Sequence, residues 1–382
     1  PHRHDVPLML AAFMGVLHGD REGTYLERAT LDFFSKMHAR FEDGSAWDPR
    51  EYNYANAEEE MVMRYTELYL LHRMFGDGAK PVSKDEYLAS RAGTRVFKRG
   101  GFAVHSTARK YASFTWRNGV MGLVFADDDT WLTAPYERGL VGSLTVKGKR
   151  DDKPKALRQL VRELPEGFAG TAEVSRCQGT VRQWLAMVSL PGRPVLYLER
   201  LAAATDIEVE RVRTATFGIL NEDAPGINPN RRALHSATGT RVVVGHAKGP
   251  STEFGIEGTW LNVDDRLGVV TSAATGFRYQ DENRYRQSRL REVLSAHAMD
   301  GVGAVAEGRT FGQAAVLVLP AMTATETQAQ GIKLTTAGTV LAARLTDGTV
   351  VLANLGPEKQ QGTLHGIAYE LAALEAKIAA AN

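Results

Sequence analysis

Gly258-Thr259-Trp260-Leu261-Asn262-Val263-Asp264-Asp265-Arg266-Leu267-Gly268-Val269-Val270 decides how this chain is read. Trp260, Leu261 and Val263 form one short apolar strand, Asp264-Asp265-Arg266 supply a polar turn, and Leu267, Val269 and Val270 form the return. Gly268 falls where a bulge or a close backbone approach is expected. The segment is a β-hairpin, and its neighbours on both sides carry the same pattern.

Strand-like alternation begins near Arg95. It runs through Phe102-Ala103-Val104-His105-Ser106, Ser113 to Arg117 and Val120 to Phe125, with side chains pointing to alternate faces. Further strand candidates are 184–190, 195–201, 209–217, 240–246, 267–272 and 314–319, the first two joined by Pro191-Gly192-Arg193. So many strands separated by Gly, Pro and Asp turns imply a large antiparallel sandwich. A smaller β unit closes the chain, with an Asp347-Gly348 hairpin turn. The stretch Ile367 to Ile378 fits helix by alanine and leucine content and strand by its position.

Upstream the period is helical. Val6 to Leu17 and Tyr25 to Phe41 are amphipathic, and Met61, Tyr65, Leu68, Leu71 and Phe75 share one helix face that stops at Gly76-Asp77-Gly78. Three helices make a poor domain alone and would expose an apolar face unless a further segment covered it. The expected organisation is α+β: a helical region over 1–80, an antiparallel β-sandwich over 81–325 and a small C-terminal β unit over 326–382.

Composition narrows the function. At 382 residues, two or three domains are expected. Lys+Arg of 46 against Asp+Glu of 45 lacks the basic excess of a phosphate-tracking nucleic-acid binder. No apolar run reaches the roughly 18–20 residues that span a bilayer. The single cysteine, Cys177, excludes an intramolecular disulfide and a multi-cysteine zinc site. The start at Pro1 reads as processed or trimmed. The run Lys147 to Lys155 reads as a solvated loop, with polyanion contact as the alternative.

Three constellations could carry chemistry. His105-Ser106-Thr107-Ala108-Arg109-Lys110-Tyr111, followed by Trp116-Arg117, joins a histidine, a tyrosine and arginines. Arginine grips a carboxylate bidentately and acidifies the adjacent carbon, while a tyrosine or histidine takes its proton. The plainer account is a sheet-surface histidine among solvent-facing cations. Asn53, Tyr54, Asn56 and Glu58 precede the best helix. Asn56 suits an N-cap, and an Asn/Tyr/Glu cluster also suits a carbohydrate cleft. His2 and His4, with His18 farther on, lack a second cluster at ligand spacing, so no metal site is assigned. Asp127-Asp128-Asp129 and Asp264-Asp265 are carboxylate runs of the kind calcium takes, although turn formation explains them more simply.

The Trp260–Val270 hairpin, the pair Met187-Val-Ser-Leu-Pro-Gly-Arg-Pro-Val-Leu-Tyr-Leu-Glu-Arg200 and the helix-then-sandwich order resemble polysaccharide lyases built from an (α/α) toroid and an antiparallel β-supersandwich. The resemblance implies β-elimination on an acidic polysaccharide or oligosaccharide, without a cofactor, by a secreted or periplasmic protein. It implies Tyr111 as base or acid, and His105 with Arg109 or Arg117 at the substrate carboxylate. Asn53, Tyr54, Asn56 and Glu58 become cleft contacts, and Trp116 a sugar platform. About 80 helical residues are too few for a toroid, which points to a preceding helical segment or a second chain as partner. A non-catalytic carbohydrate-binding module and a glycoside hydrolase are the alternatives. Neither nucleic acid nor membrane is expected as a partner.

Overall fold

The computed structural model describes residues 5–38, 55–97, 99, 102–107, 109–115, 121–125, 139–220, 231–244, 252–286 and 289–380. These fall into two compact units, one of Pro1–Ala92 with Glu222–Pro229 and Arg284–Leu290, the other of Gly93–Asn221, Asn230–Asn283 and Arg291–Asn382.

The first unit is helical. Helices α1 (Asp5–His18), α2 (Arg21–His38) and α3 (Ala55–Phe75) are the three that the apolar periodicity anticipates. A fourth, α4 (Lys84–Arg91), lies beyond the Gly-Asp-Gly stop. Its signal is a capping box: Glu86 N–H donates to Ser83 Oγ at 3.2 Å, and Ser83 N–H donates to the Glu86 carboxylate at 2.7 Å. Leu8 and Ala12 of α1 and Leu68 and Leu71 of α3 are buried. Leu10, Leu17, Tyr69, Met74 and Phe75 stay exposed, Met74 by 71%. The described part of the helical unit therefore has several large apolar side chains at its surface.

The second unit is a layered antiparallel β structure. A nine-stranded sheet runs in the order 239–244, 231–236, 260–263, 267–271, 310–320, 195–203, 181–189, 167–176 and 155–164. A five-stranded sheet, 253–256, 277–286, 289–305, 207–220 and 143–146, packs on it. Leu185 and Met187 face that sandwich core with Phe217, Phe277 and Leu294, whereas Ala186 and Val188 point the other way. There they meet Leu341, Ala343, Val351 and Ala353 of a four-stranded C-terminal sheet. Burial on both faces explains why 195–201 reads as a nearly unbroken apolar run. Each such Val or Leu, fully buried, contributes about 1.5–3 kcal/mol.

The fold is α+β and mostly β, as the sequence implies. The ambiguous stretch near the C-terminus is two strands, Ile367–Leu371 and Ala376–Ala380; the latter pairs with Thr349–Asn354. Pairing to a preformed neighbour outweighs the helix propensity of its alanines.

The opening hairpin sits inside the nine-stranded sheet, and its wording is accounted for by packing. Asn262 and Gly268 are direct cross-strand partners in regular register, so no bulge occurs there. Asn262 Nδ2 donates to Met322 O at 2.7 Å and to Thr327 Oγ1 at 2.8 Å. Thr327 lies on α5 (Ala324–Gln328), which presses on the hairpin so closely that a Cβ at Gly268 would lie 2.3 Å from Thr327 Oγ1. Asp264 accepts from Ala233 N–H at 2.7 Å and from the fully buried Arg232 at 2.9 Å. Asp265 accepts from Ala324 N–H at 2.7 Å, at the start of α5. Gly268→Ala is expected to destabilise this unit by about 1–3 kcal/mol through overpacking. In urea unfolding, Thr327→Ala in the same chain should make the pair less costly than the sum of the single changes. A Gly268→Ala protein as stable as the parent would contradict the close-approach account.

Candidate functional site

Three of the residues singled out for chemistry, His105, Arg109 and Tyr111, belong to one small sheet and its turn. Strands β1 (Gly93–Phe97), β2 (Phe102–Thr107), β3 (Lys110–Thr115) and β4 (Met121–Phe125) pair antiparallel in sequence order. Thr107 pairs with Lys110, and Arg109 stands in the turn between them. Within it, Arg109 N–H donates to Thr107 Oγ1 at 3.2 Å.

Pleating sorts these side chains onto two faces. Ala103, His105, Lys110, Ala112 and Phe114 point inward and are buried. Arg95, Phe97, Phe102, Ser106 and Tyr111 occupy the opposite face. There Tyr111 is 40% exposed, and the Phe97 and Phe102 rings stack 4.4 Å apart at 21°. Arg95 and Arg109 are exposed. This outward face thus carries a guanidinium group, a phenol and a stacked aromatic pair, with a second guanidinium in the adjoining turn, a set of groups that suits a ligand with carboxylates and apolar sugar faces.

His105 departs from expectation. It does not stand with Tyr111 on the solvent side: its cross-strand partner is Ala112, while Tyr111 pairs with Ser106. Its Nδ1 lies 2.9 Å from Ser189 Oγ in the interior. Burial, and after it the neighbouring Lys110 charge, push its pKa down to about 4, so the ring is neutral at ordinary pH. A neutral, buried imidazole is not placed to receive a substrate carboxylate. Gly167 makes room for this contact, since a Cβ there would lie 1.9 Å from Ser189 O and 3.5 Å from His105 Nδ1.

Lys110 shares the inward face. Its Nζ donates to Leu190 O at 2.5 Å and to Pro194 O at 3.4 Å, and burial pushes its pKa down to about 7.

The other expected contacts are not gathered here. Asn53, Tyr54, Trp116 and Arg117, as well as Asp127–Asp129, His2 and His4, lie outside the described residues. Asn56 and Glu58 fall in the first turn of α3, on the helical unit. Arg95, Phe97 and Phe102 were not singled out from sequence. The signal available was that Arg95 and Phe97 alternate directly across from Val104 and Phe102 once β1 and β2 are paired.

Two polar clusters elsewhere have structural explanations. Inside the sandwich, the Glu199 carboxylate accepts from Thr214, His297, Gln183 at 2.8 Å and Tyr197 at 3.2 Å. Gln183 in turn accepts from Arg176 at 2.7 Å, and Arg176 donates to both oxygens of Asp151 at 3.0 and 2.9 Å. That bond draws Asp151 inward from the charged 147–155 loop, whose lysines and Arg150 stay exposed. In the helical unit, His72 Nδ1 lies 3.2 Å from Gly76 O, which can only accept, so this nitrogen carries hydrogen. Its Nε2 meets buried Glu27 at 2.5 Å. Both ring nitrogens are engaged, which leaves neither for a substrate. Among the described residues no group of three or more metal-ligating side chains forms, and no helix is long and apolar enough to cross a membrane.

No protein-family model matches the chain, and no curated protein matches it. Solved structures do. The chain is similar to polysaccharide lyases. It aligns with a Streptomyces coelicolor A3 chondroitin AC lyase, solved with chondroitin sulphate, at 14% identity and TM-score 0.47, over 93% of this chain and 48% of that one. The heparan sulfate lyase HepC of Pedobacter heparinus aligns at 10% identity and TM-score 0.39, over 88% and 54%. The galactosidase domain of the α-galactosidase-sucrose kinase AgaSK aligns at 11% and 0.42, over 60% and 42%. The chain spans about half the length of these structures. At such TM-scores the likeness carries no argument about chemistry, which rests on the face of the small sheet.

Proposed function

We propose that the chain acts on an acidic, uronate-containing polysaccharide and cleaves it by β-elimination. The observation that carries this reading is that Tyr111 and Arg95 share the outward face of the small sheet with the stacked Phe97 and Phe102, with the exposed Arg109 in the turn next to Tyr111. In the proposed reaction Arg109, with Arg95, holds the C5 carboxylate and stabilises the charge that develops on it. Tyr111 as phenolate takes the C5 proton. The electron pair left on C5 forms the C4=C5 double bond, the C4–O bond breaks, and the leaving oxygen takes the proton back from Tyr111. No oxidant, reductant or cofactor enters this balance.

The substrate class supports secretion or a periplasmic location. The uncovered Leu10, Leu17, Met74 and Phe75 support a further helical segment or a second chain as the partner that completes the helical unit.

One observation favours a second reading. His105 is buried and neutral, which removes one of the chemical groups from the face and leaves a surface also suited to glycan binding without turnover. Incubation with a panel of uronate polymers separates the readings. Elimination gives the ultraviolet absorbance of a 4,5-unsaturated uronate. Binding without that chromophore supports the module, and new reducing ends without it mean hydrolysis.

A further inference from the structure

Lys110 breaks an ordinary rule of protein interiors. Its side chain is 1% exposed, yet it meets two backbone carbonyls and, among the described residues, no carboxylate offsets its charge. An ammonium buried in this way costs stability compared with an apolar residue of similar shape. Departures of this kind concentrate at functional sites. Its neighbours along the chain, Arg109 and Tyr111, are the two residues assigned above to the substrate.

The geometry gives Lys110 a mechanical task. The carbonyls of Leu190 and Pro194 belong to the tight turn joining strands Val181–Ser189 and Val195–Ala203, which Leu190 N–H closes onto Pro194 O at 3.1 Å. His105 reaches Ser189 at the same turn. Two inward side chains of the β2–β3 hairpin therefore grip one rigid turn of the nine-stranded sheet. We propose that Lys110 is a positioning residue, whose Nζ, donating to the Leu190 and Pro194 carbonyls, fixes the Thr107–Lys110 turn and so aims Arg109 and Tyr111 at substrate. The assignment of a substrate to those two residues rests on the function proposed above; the fastening of the turn does not.

The fastening has a pH signature. Burial sets the Lys110 pKa at about 7, below its ordinary 10.5. A pKa below that of a solvated lysine means that the closed turn holds the amine better than the ammonium, so the turn tightens as pH rises from 7 toward 10.5. Global stability moves the same way. With the folded pKa depressed, the stability from this group is complete above 10.5 and is lost as pH falls toward 7. Of the titratable groups around it, His105 shares its face and is neutral across this range, Arg193 is directed 3.3 Å to Glu326, and Glu166 is exposed.

The test is amide hydrogen exchange across residues 107–112 of the full chain at pH 6 and pH 9, corrected for intrinsic exchange, with Lys110→Met alongside. The parent turn should exchange about tenfold slower at pH 9 than at pH 6. Lys110→Met should be fast at both, while urea unfolding shows it no less stable at pH 7. If the parent shows no pH step, or the variant turn is as protected as the parent, the fastening is overturned. A variant that loses turn protection only together with global stability also overturns it, because Lys110 would then be simple core packing. None of these readouts needs a ligand. Binding of hyaluronan and polymannuronate by both proteins then tests the aiming: loosened turns with unchanged binding would overturn that part alone, and no binding by the parent would count against the proposed function instead.

Discussion

Tyr111→Phe should abolish most turnover while leaving the fold and glycan binding intact. The ring stays, so its apolar contact with a sugar face is retained, and only the phenolic oxygen goes. Positioned acid–base groups contribute about 10²–10⁴-fold to rate, and in the proposed reaction Tyr111 moves the proton twice. The measurement is the rate of unsaturated uronate formation on whichever polymer the parent cleaves, with binding followed separately. Tyr111 is 40% exposed on the sheet surface, so its substitution should leave the unfolding midpoint nearly unchanged. A Phe variant that cleaves at the parent rate would remove Tyr111 from the chemistry. Arg109→Ala provides the matching contrast, since loss of a carboxylate contact weakens binding as well as rate.

Glu199→Leu should produce the largest loss of stability. Four donors, from Thr214, His297, Gln183 and Tyr197, converge on this one fully buried carboxylate. Removing it takes the acceptor from Gln183 and Tyr197 and leaves Thr214 and His297, 3.1 Å apart, only each other, and breaking a buried charged network typically costs about 3–5 kcal/mol. Glu199→Gln keeps the shape and one acceptor and should cost less. The network also couples the sandwich to acid. Burial raises the Glu199 pKa, but hydrogen bonds from His297, Thr214 and Gln183 outweigh it and hold the carboxyl below its ordinary value. With a depressed folded pKa, the stability it contributes is present above the unfolded value and lost as pH falls through the folded one. Urea unfolding from neutral to acid pH should therefore fall more steeply for the parent than for Glu199→Leu. A variant within about 1 kcal/mol of the parent would mean that repacking or water replaces the carboxylate.

The parts of the fold legible in sequence are those with strict period or specific turn chemistry. Phe102 to Ser106, the Asp347-Gly348 turn and the Trp260–Val270 hairpin belong to this class. Strands 277–286 and 289–305 were not legible. The first contains Asp281, Glu282, Asn283 and Arg284 among its ten residues, and polar strands carry no apolar alternation to detect. Strand 155–164 escaped for a similar reason, having mostly exposed positions, whereas 167–176 is buried but built largely of small and polar residues.

The candidate site was half legible. Alternation along β2 shows that His105 and Val104 take opposite faces, but it does not say which face is the interior. Ala103 and Ala112 beside His105 let the nine-stranded sheet approach on that side, and only tertiary packing makes this choice. The polar core around Glu199 was hidden for another reason. Its members are scattered from Asp151 to His297 along the chain, and none falls in a motif.

The turn between Thr107 and Lys110 also sets a rule for insertions and deletions in this hairpin. Moving Tyr111 by one place relative to His105 would exchange faces, turning the phenol inward and the lysine toward solvent. An even number of added residues would preserve the sorting, provided that the turn could absorb them. A library of turn lengths at positions 108–109 should therefore show function surviving in steps of two, with stability following the same parity.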